Sequence, residues 1–266
     1  MGRDGVTWRM RLTLAAFLDR WESRVRRVGE RIGYPQTWIR ELADYLADPR
    51  LTLEEAWVRY ALLRREARPR IKAIQTEAEA LAFFRDCDYP LWRNVIHRRH
   101  TAWRRVLWTM KGSRGTLLEL GCGTAPVSAY CAAYRPEWSY WLHDLDGPAK
   151  AYGCQRVREI LFRAPISIPI SGICTFTTMP LNLNGVRPWV VTALDVFEHL
   201  ADPLTLAMDG LRALASEGYL HWNFVAASGN ELNRATAIQR DATIRYIDAQ
   251  LTRVWGNPDD HCVSRR

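Results

Sequence analysis

Residues 118–126 read LELGCGTAP. They belong to a short apolar run, TLLEL over 116–120, that ends at Gly121-Cys122-Gly123 and is followed by the small-residue segment APVSAYCAAY. The pattern predicts a strand, a tight turn and a helix. Glycines at 121 and 123 admit a left-handed backbone and close approach of a ligand, both of which a Cβ opposes. The spacing is not that of a phosphate cradle, because GxxxxGK[ST] is absent and the third glycine of GxGxxG is missing. Glu119 at the strand end would set an anion beside a pyrophosphate. It suits a ligand that carries positive charge.

The same alternation continues to the end of the chain. SYWLH runs into Asp144-Leu145-Asp146-Gly147 and then AKAYGCQRVREIL, while ICTFTT and PWVVTAL are further β-branched runs. LTLAMDGLRALA reads as a helix, GYLHWNFV as a strand and ATAIQRDATIRYIDAQL as a last helix. TRVWG and HCVSRR on either side of NPDD predict a closing antiparallel hairpin. Strands alternating with helices predict an α/β domain with a doubly wound, mostly parallel sheet over residues 113–266.

Residues 1–112 read as a helical N-terminal region. Trp8, Leu12, Ala15 and Ala16 form an apolar stripe broken at Gly33-Tyr34-Pro35, and residues 37–46 make a second short helix. Thr52 with Glu55, and Thr76 with Glu79, are capping-box signatures that open LTLEEAWVRYALLRRE and LAFFRD. After Pro90 a helical period runs from Leu91 to Met110, and MKGSRG marks the boundary. Hydrophobic residues make up 48% of the 266 and charged residues 25%, which excludes a disordered or collagen-like chain. Residues 1–115 hold 24 basic against 14 acidic side chains, the remainder 13 against 15, so the basic excess lies in the front. Six scattered cysteines without a CxxC pair, no apolar run of membrane-spanning length and no signal-peptide pattern predict a reduced, cytoplasmic protein away from membranes.

E-L-G-C-G-T resembles the first motif of the class I S-adenosylmethionine-dependent methyltransferases, and the order of elements over residues 116–266 agrees. The resemblance implies a Rossmann-like methyltransferase fold and S-adenosyl-L-methionine as cofactor. It implies that Gly121, Cys122 and Gly123 lie under the methionine part, that Glu119 acts near the ammonium group, and that Asp144, with Asp146 as alternate, holds the ribose hydroxyls. A carboxylate can accept two hydroxyl donors through its two oxygens. Cys122 itself reads as a small packing residue rather than a nucleophile. Two positions depart from the family pattern: FTTMPLNLNG supplies no acid after the third strand, and Trp189 stands where an aspartate commonly begins the fourth.

LDVFEHLADP, residues 194–203, resembles the family's fourth motif in its D-x-x-E-H-x-x-D-P form. Three readings of Asp195, Glu198 and His199 stand side by side. Glu198 and His199 cap and anchor the following helix while Asp202-Pro203 restarts it; or His199 is a general base, an imidazole being suited to neutral pH; or the three ligate a divalent cation. No metal is assigned, since Asp195 is one methylene shorter than the glutamate of the metal-binding relatives. The family often roofs its substrate with residues before the first strand. Tyr89, Trp92, His97 and His100 are candidates there, with Trp222 from the fifth strand, and Arg93 is a candidate to pair with the cofactor's carboxylate or with an acidic substrate. The expected activity is methyl transfer to an O or N atom of a small-molecule metabolite. The alternatives are an RNA methyltransferase that docks its substrate on the basic front, and an inactive cofactor-binding scaffold.

Overall fold

TLLEL forms strand β1 (Thr116–Leu120), and the sheet extends from it in both directions. The structure is a computed structural model that describes residues 10–18, 21, 37–97, 103–163, 174–176, 181, 183, 185–225 and 234–266. Strands β2 (Ser139–His143) and β4 (Val190–Ala193) flank β1, both parallel to it. Beyond them lie β3 (Cys174–Phe176) and β5 (Tyr219–Trp222), again parallel. β7 (His261–Arg265) pairs antiparallel with β5 and carries β6 (Thr252–Asn257) outside it. The order is β3-β2-β1-β4-β5-β7-β6, with the expected closing hairpin. All four residues of β4 and of β5 are buried, which is why these strands read as mostly apolar runs instead of alternating ones.

The two faces of the sheet bury separate cores. Leu117 packs with Val127, Cys131 and Val157 from helices α7 (Pro126–Tyr134) and α8 (Pro148–Arg163). Leu118 and Leu120 point the other way, to Leu206, Leu211 and Ile247 on α9 (Pro203–Ala213) and α10 (Ala237–Gln250).

In the front, residues 10–18 form helix α1, followed by α2 (Thr37–Tyr45), α3 (Leu53–Ala73), α4 (Glu77–Asp86), α5 (Tyr89–His97) and α6 (Trp103–Thr109). Both predicted capping boxes form, the Thr52 and Thr76 hydroxyls each accepting an N–H at 3.2 Å. A third, Thr236 with Gln239, opens α10 and escaped the sequence reading. Helix α3 runs seven residues past the predicted Glu66, through Pro69, because Ala67 and Ile71 are buried and hold the extra turns in the front core. The predicted 91–110 helix is described as two, α5 starting at Tyr89, with residues 98–102 outside the described set.

The boundary at residue 112 is one of sequence pattern. In space, Val106 and Met110 join the core beneath the sheet, and Tyr152 of α8 completes the front core around Trp38, Leu42 and Phe83. A buried polar chain adds a second tie. The Thr109 hydroxyl donates to the Val106 carbonyl at 2.7 Å and lies 2.8 Å from His221 Nε2, whose Nδ1 is 3.0 Å from His261 Nε2. Burial, with the Arg105 charge nearby, pushes His221 down to about 3, so it is neutral at ordinary pH. Among the described residues no helix is long and apolar enough to cross a membrane.

Candidate functional site

In an open α/β sheet the ligand cleft lies beyond the carboxyl ends of the strands where the order reverses. Here that point is between β1 and β4, whose neighbouring crossovers run in opposite directions. The turn after β1 has Gly121 at φ 59°, Gly123 at 48° and Ala125 at 47°, three alternate residues in the left-handed region. Holding Ala125 there costs on the order of 1–2 kcal/mol, which the surrounding contacts offset. A Cβ on Gly121 would lie 2.5 Å from Val196 Cγ2 in the loop after β4, so the two loops touch across the switch point.

Glu119 faces α7, and its position follows from the helix. Ala125, at the N-cap, offers no side-chain acceptor, and Glu119 supplies one instead: Ser128 N–H donates to Oε2 at 2.8 Å and Val127 N–H to Oε1 at 3.3 Å. Burial pushes its carboxyl up to about 7 against the pull of those donors. Cys122 is buried, its N–H donating to the His143 carbonyl at 3.1 Å, and burial raises its thiol well above the ordinary value. Burial of this kind disfavours the thiolate form.

The two acids after β2 part company. Asp144 Oδ2 accepts the Gly123 N–H at 2.6 Å and Oδ1 the Leu145 N–H at 2.7 Å, so this carboxylate clamps the glycine turn. Burial nevertheless raises its pKa. Asp146 is exposed and paired with Lys150 at 2.7 Å, turned out to solvent. Asp144 is therefore the acid that faces the turn.

On the β4 side, Asp195 takes φ 56°, uncommon for a residue with a side chain. A reciprocal pair holds it there: Asp195 N–H donates to Asn223 Oδ1 at 2.6 Å and Asn223 Nδ2 to Asp195 Oδ1 at 2.7 Å, bridging the ends of β4 and β5. Glu198 is buried and His199 half-buried on a single 3₁₀ turn (Phe197–His199). The helix that follows is capped by neither of them. Asp202 caps α9, accepting the Thr205 N–H at 3.2 Å. Among the described residues no group of three or more His, Cys, Asp or Glu is arranged to hold a metal ion.

The front closes over the carboxyl edge. Asn94 of α5 lies over the turn, its Nδ2 3.0 Å from where a Cβ of Gly123 would stand. The Phe84 and Arg85 carbonyls of α4 approach Gly147, after β2, as closely. Arg234, between β5 and α10, donates to the Thr76 carbonyl at 2.7 Å. Asn94 and Asn223 are the two residues at this edge that sequence reading missed.

Several predicted substrate residues lie elsewhere. Trp222 is fully buried in the core under α9 and α10, with Nε1 donating to Ser264 Oγ at 3.1 Å, so it leaves the list of lining residues. Tyr89 and Trp92 sit in the front core, Tyr89 stacked on Tyr60 at 6.0 Å; their bulk serves packing between α3 and α5, not a roof. His97 turns to α3, with Nε2 2.8 Å from Tyr60 Oη. Arg93 is half-buried, and its charge acts on that same Tyr60 hydroxyl. His100 and the stretch from Thr177 to Met179 lie outside the described residues.

No protein-family model matches the chain. It is similar to the energy-coupling factor transporter transmembrane protein of Lactobacillus helveticus (strain DPC 4571), 25% identical over 114 residues. That match covers 41% of this chain and spans only 40% of the transporter protein's length. Among solved structures it is similar to an O-methyltransferase family protein from Burkholderia thailandensis, with a TM-score of 0.51 and 14% identity over 83% of this chain and 75% of that one. It is also similar to magnesium protoporphyrin IX methyltransferase from Synechocystis PCC 6803 with bound SAH, with a TM-score of 0.47 and 10% identity over 76% of this chain and 93% of the other.

Proposed function

This chain having the fold of the class I S-adenosylmethionine-dependent methyltransferases, we propose that it is such an enzyme, transferring a methyl group to an O or N atom of a small cytoplasmic metabolite. One observation carries the reading: a left-handed glycine turn at the switch point, clamped by the Asp144 carboxylate at 2.6 Å. The residues present fit the cofactor. A Cβ at Gly123 would close a backbone face, and the Asp144 and Glu119 oxygens, each bearing one N–H, keep lone pairs for hydroxyls and for a cation.

In this reading Gly121, Cys122 and Gly123 offer backbone to the methionine part, Glu119 faces its positive charge and Asp144 takes the ribose hydroxyls. Bound S-adenosylmethionine supplies an activated sulfonium methyl. The chain's own contribution is to orient the acceptor, exclude water and accept a proton, and orientation alone is worth on the order of 7–11 kcal/mol in favourable cases. The contacts of α4 and α5 with the carboxyl edge support the front, residues 1–112, as the lid and acceptor-binding region. His199 is the proton acceptor of the proposal, with the Asp195–Asn223 pair setting the shape of its loop. Its replacement by alanine is expected to lower kcat by about a hundredfold while leaving cofactor affinity unchanged. Full turnover in His199→Ala removes it from that role.

Titration calorimetry with S-adenosylmethionine tests the reading directly and has a pH signature. A raised carboxyl in the empty protein contributes stability that fades as pH climbs from 4.5 through about 7. A cation beside Glu119 favours its charged form, so binding displaces a proton below neutrality. Affinity is expected to rise with pH toward about 7 and then flatten, and Glu119→Gln to lose that slope. Absence of heat at any pH with well-folded protein would overturn the assignment.

A further inference from the structure

Helix α1 is apolar on two opposite sides. Leu12, Ala15 and Ala16 are buried, Leu12 packing with Tyr219 and Val263, and the Trp255 indole N–H donates to Thr13 Oγ1 at 3.4 Å. That side pins the helix to the β5–β7–β6 end of the sheet. The opposite side is where a surface helix ordinarily carries charge. It holds instead Met10, Leu14 and Phe17, exposed by 67%, 52% and 62%, at i, i+4 and i+7. Trp21, 58% exposed, continues the spacing at i+11. One leucine and two alanines inward against four large apolar side chains outward is the reverse of a helix whose only task is to cover its own core.

The sequence around this stripe is basic. Residues 1–36 carry eight arginines and no lysine against four acids, and Arg11 is exposed on the helix itself. We propose that this face is an interfacial anchor that lies in the headgroup region of an anionic lipid bilayer, with Met10, Leu14, Phe17 and Trp21 inserted and Arg11 beside them at the lipid phosphates. An amphipathic helix with aromatic and aliphatic residues on one face and arginine beside it partitions in this way, and each basic group near an anionic surface adds to the attraction. Charge selects the occupant. A second copy of the chain would bring a like-charged segment against this one, whereas anionic headgroups complement it. The proposal does not depend on methyl transfer, because α1 packs on the far strands of the sheet and the glycine turn lies at β1.

The test is co-sedimentation of the full chain with phosphatidylcholine vesicles, with and without about one third phosphatidylglycerol. The double variant Leu14→Ser, Phe17→Ser is compared with the parent; both side chains are exposed, so the melting temperature should hold. The expected result is retention on the anionic vesicles, weakened by salt, with a drop of at least about tenfold in the variant. Three results overturn the proposal: no retention of the parent protein, equal retention of parent and variant, or a dimer that the variant dissolves while the vesicles retain neither form.

Discussion

Gly121→Val is expected to abolish cofactor binding, raising Kd by at least about a thousandfold, and to lower the melting temperature as well. Two effects add. At φ 59° a β-branched residue is strained by more than the roughly 1–2 kcal/mol that an ordinary side chain would cost. The new Cβ would also stand 2.5 Å and 2.9 Å from the two Val196 methyls, so the loops after β1 and β4 must separate to admit it. Those loops flank the switch point. Gly185→Ala provides the matched control: φ there is 82°, yet nothing lies within 4 Å of a Cβ. It should lose some stability and keep its cofactor affinity. Calorimetry on both variants decides the matter; a Gly121→Val protein that binds like the parent would mean that the turn is only a turn.

Asp144→Ala is expected to weaken cofactor binding by about a thousandfold. Two charge-assisted hydrogen bonds to ribose hydroxyls are worth roughly 1.5–3 kcal/mol each, and the same carboxylate anchors the Gly123 and Leu145 N–H groups that shape the turn. Asp146→Ala should change affinity by no more than about twofold, because an exposed acid paired with Lys150 contributes little. Equal losses in the two variants would move the ribose acid to Asp146, and no loss in either would take the ribose away from this loop altogether.

Much of the architecture was legible along the chain, because it rests on interactions of short range. The two capping boxes, the glycine turn behind TLLEL and the hairpin about NPDD each depend on residues a few positions apart, and each forms as expected. Fully buried strands also read clearly, since burial on both faces demands a mostly apolar run. The bounds of helices were less legible where tertiary burial prolonged them, as at Ala67 and Ile71 beyond the predicted end of α3.

The candidate site divides along the same line. By itself the sequence determined that a carboxylate stands two residues before the glycine turn, that another ends the second strand, and that Asp195, Glu198 and His199 follow the fourth. Only the tertiary structure decided what those groups touch. It set Glu119 on the N-terminus of α7, chose Asp144 over Asp146, joined Asp195 to Asn223 across 28 residues and brought Asn94 over Gly123. It also drew Trp222, Tyr89 and Trp92 into buried cores. An aromatic residue or an asparagine has the same letter in a core as in a site; which one it serves depends on neighbours distant in sequence, and packing selects those neighbours once the chain has folded.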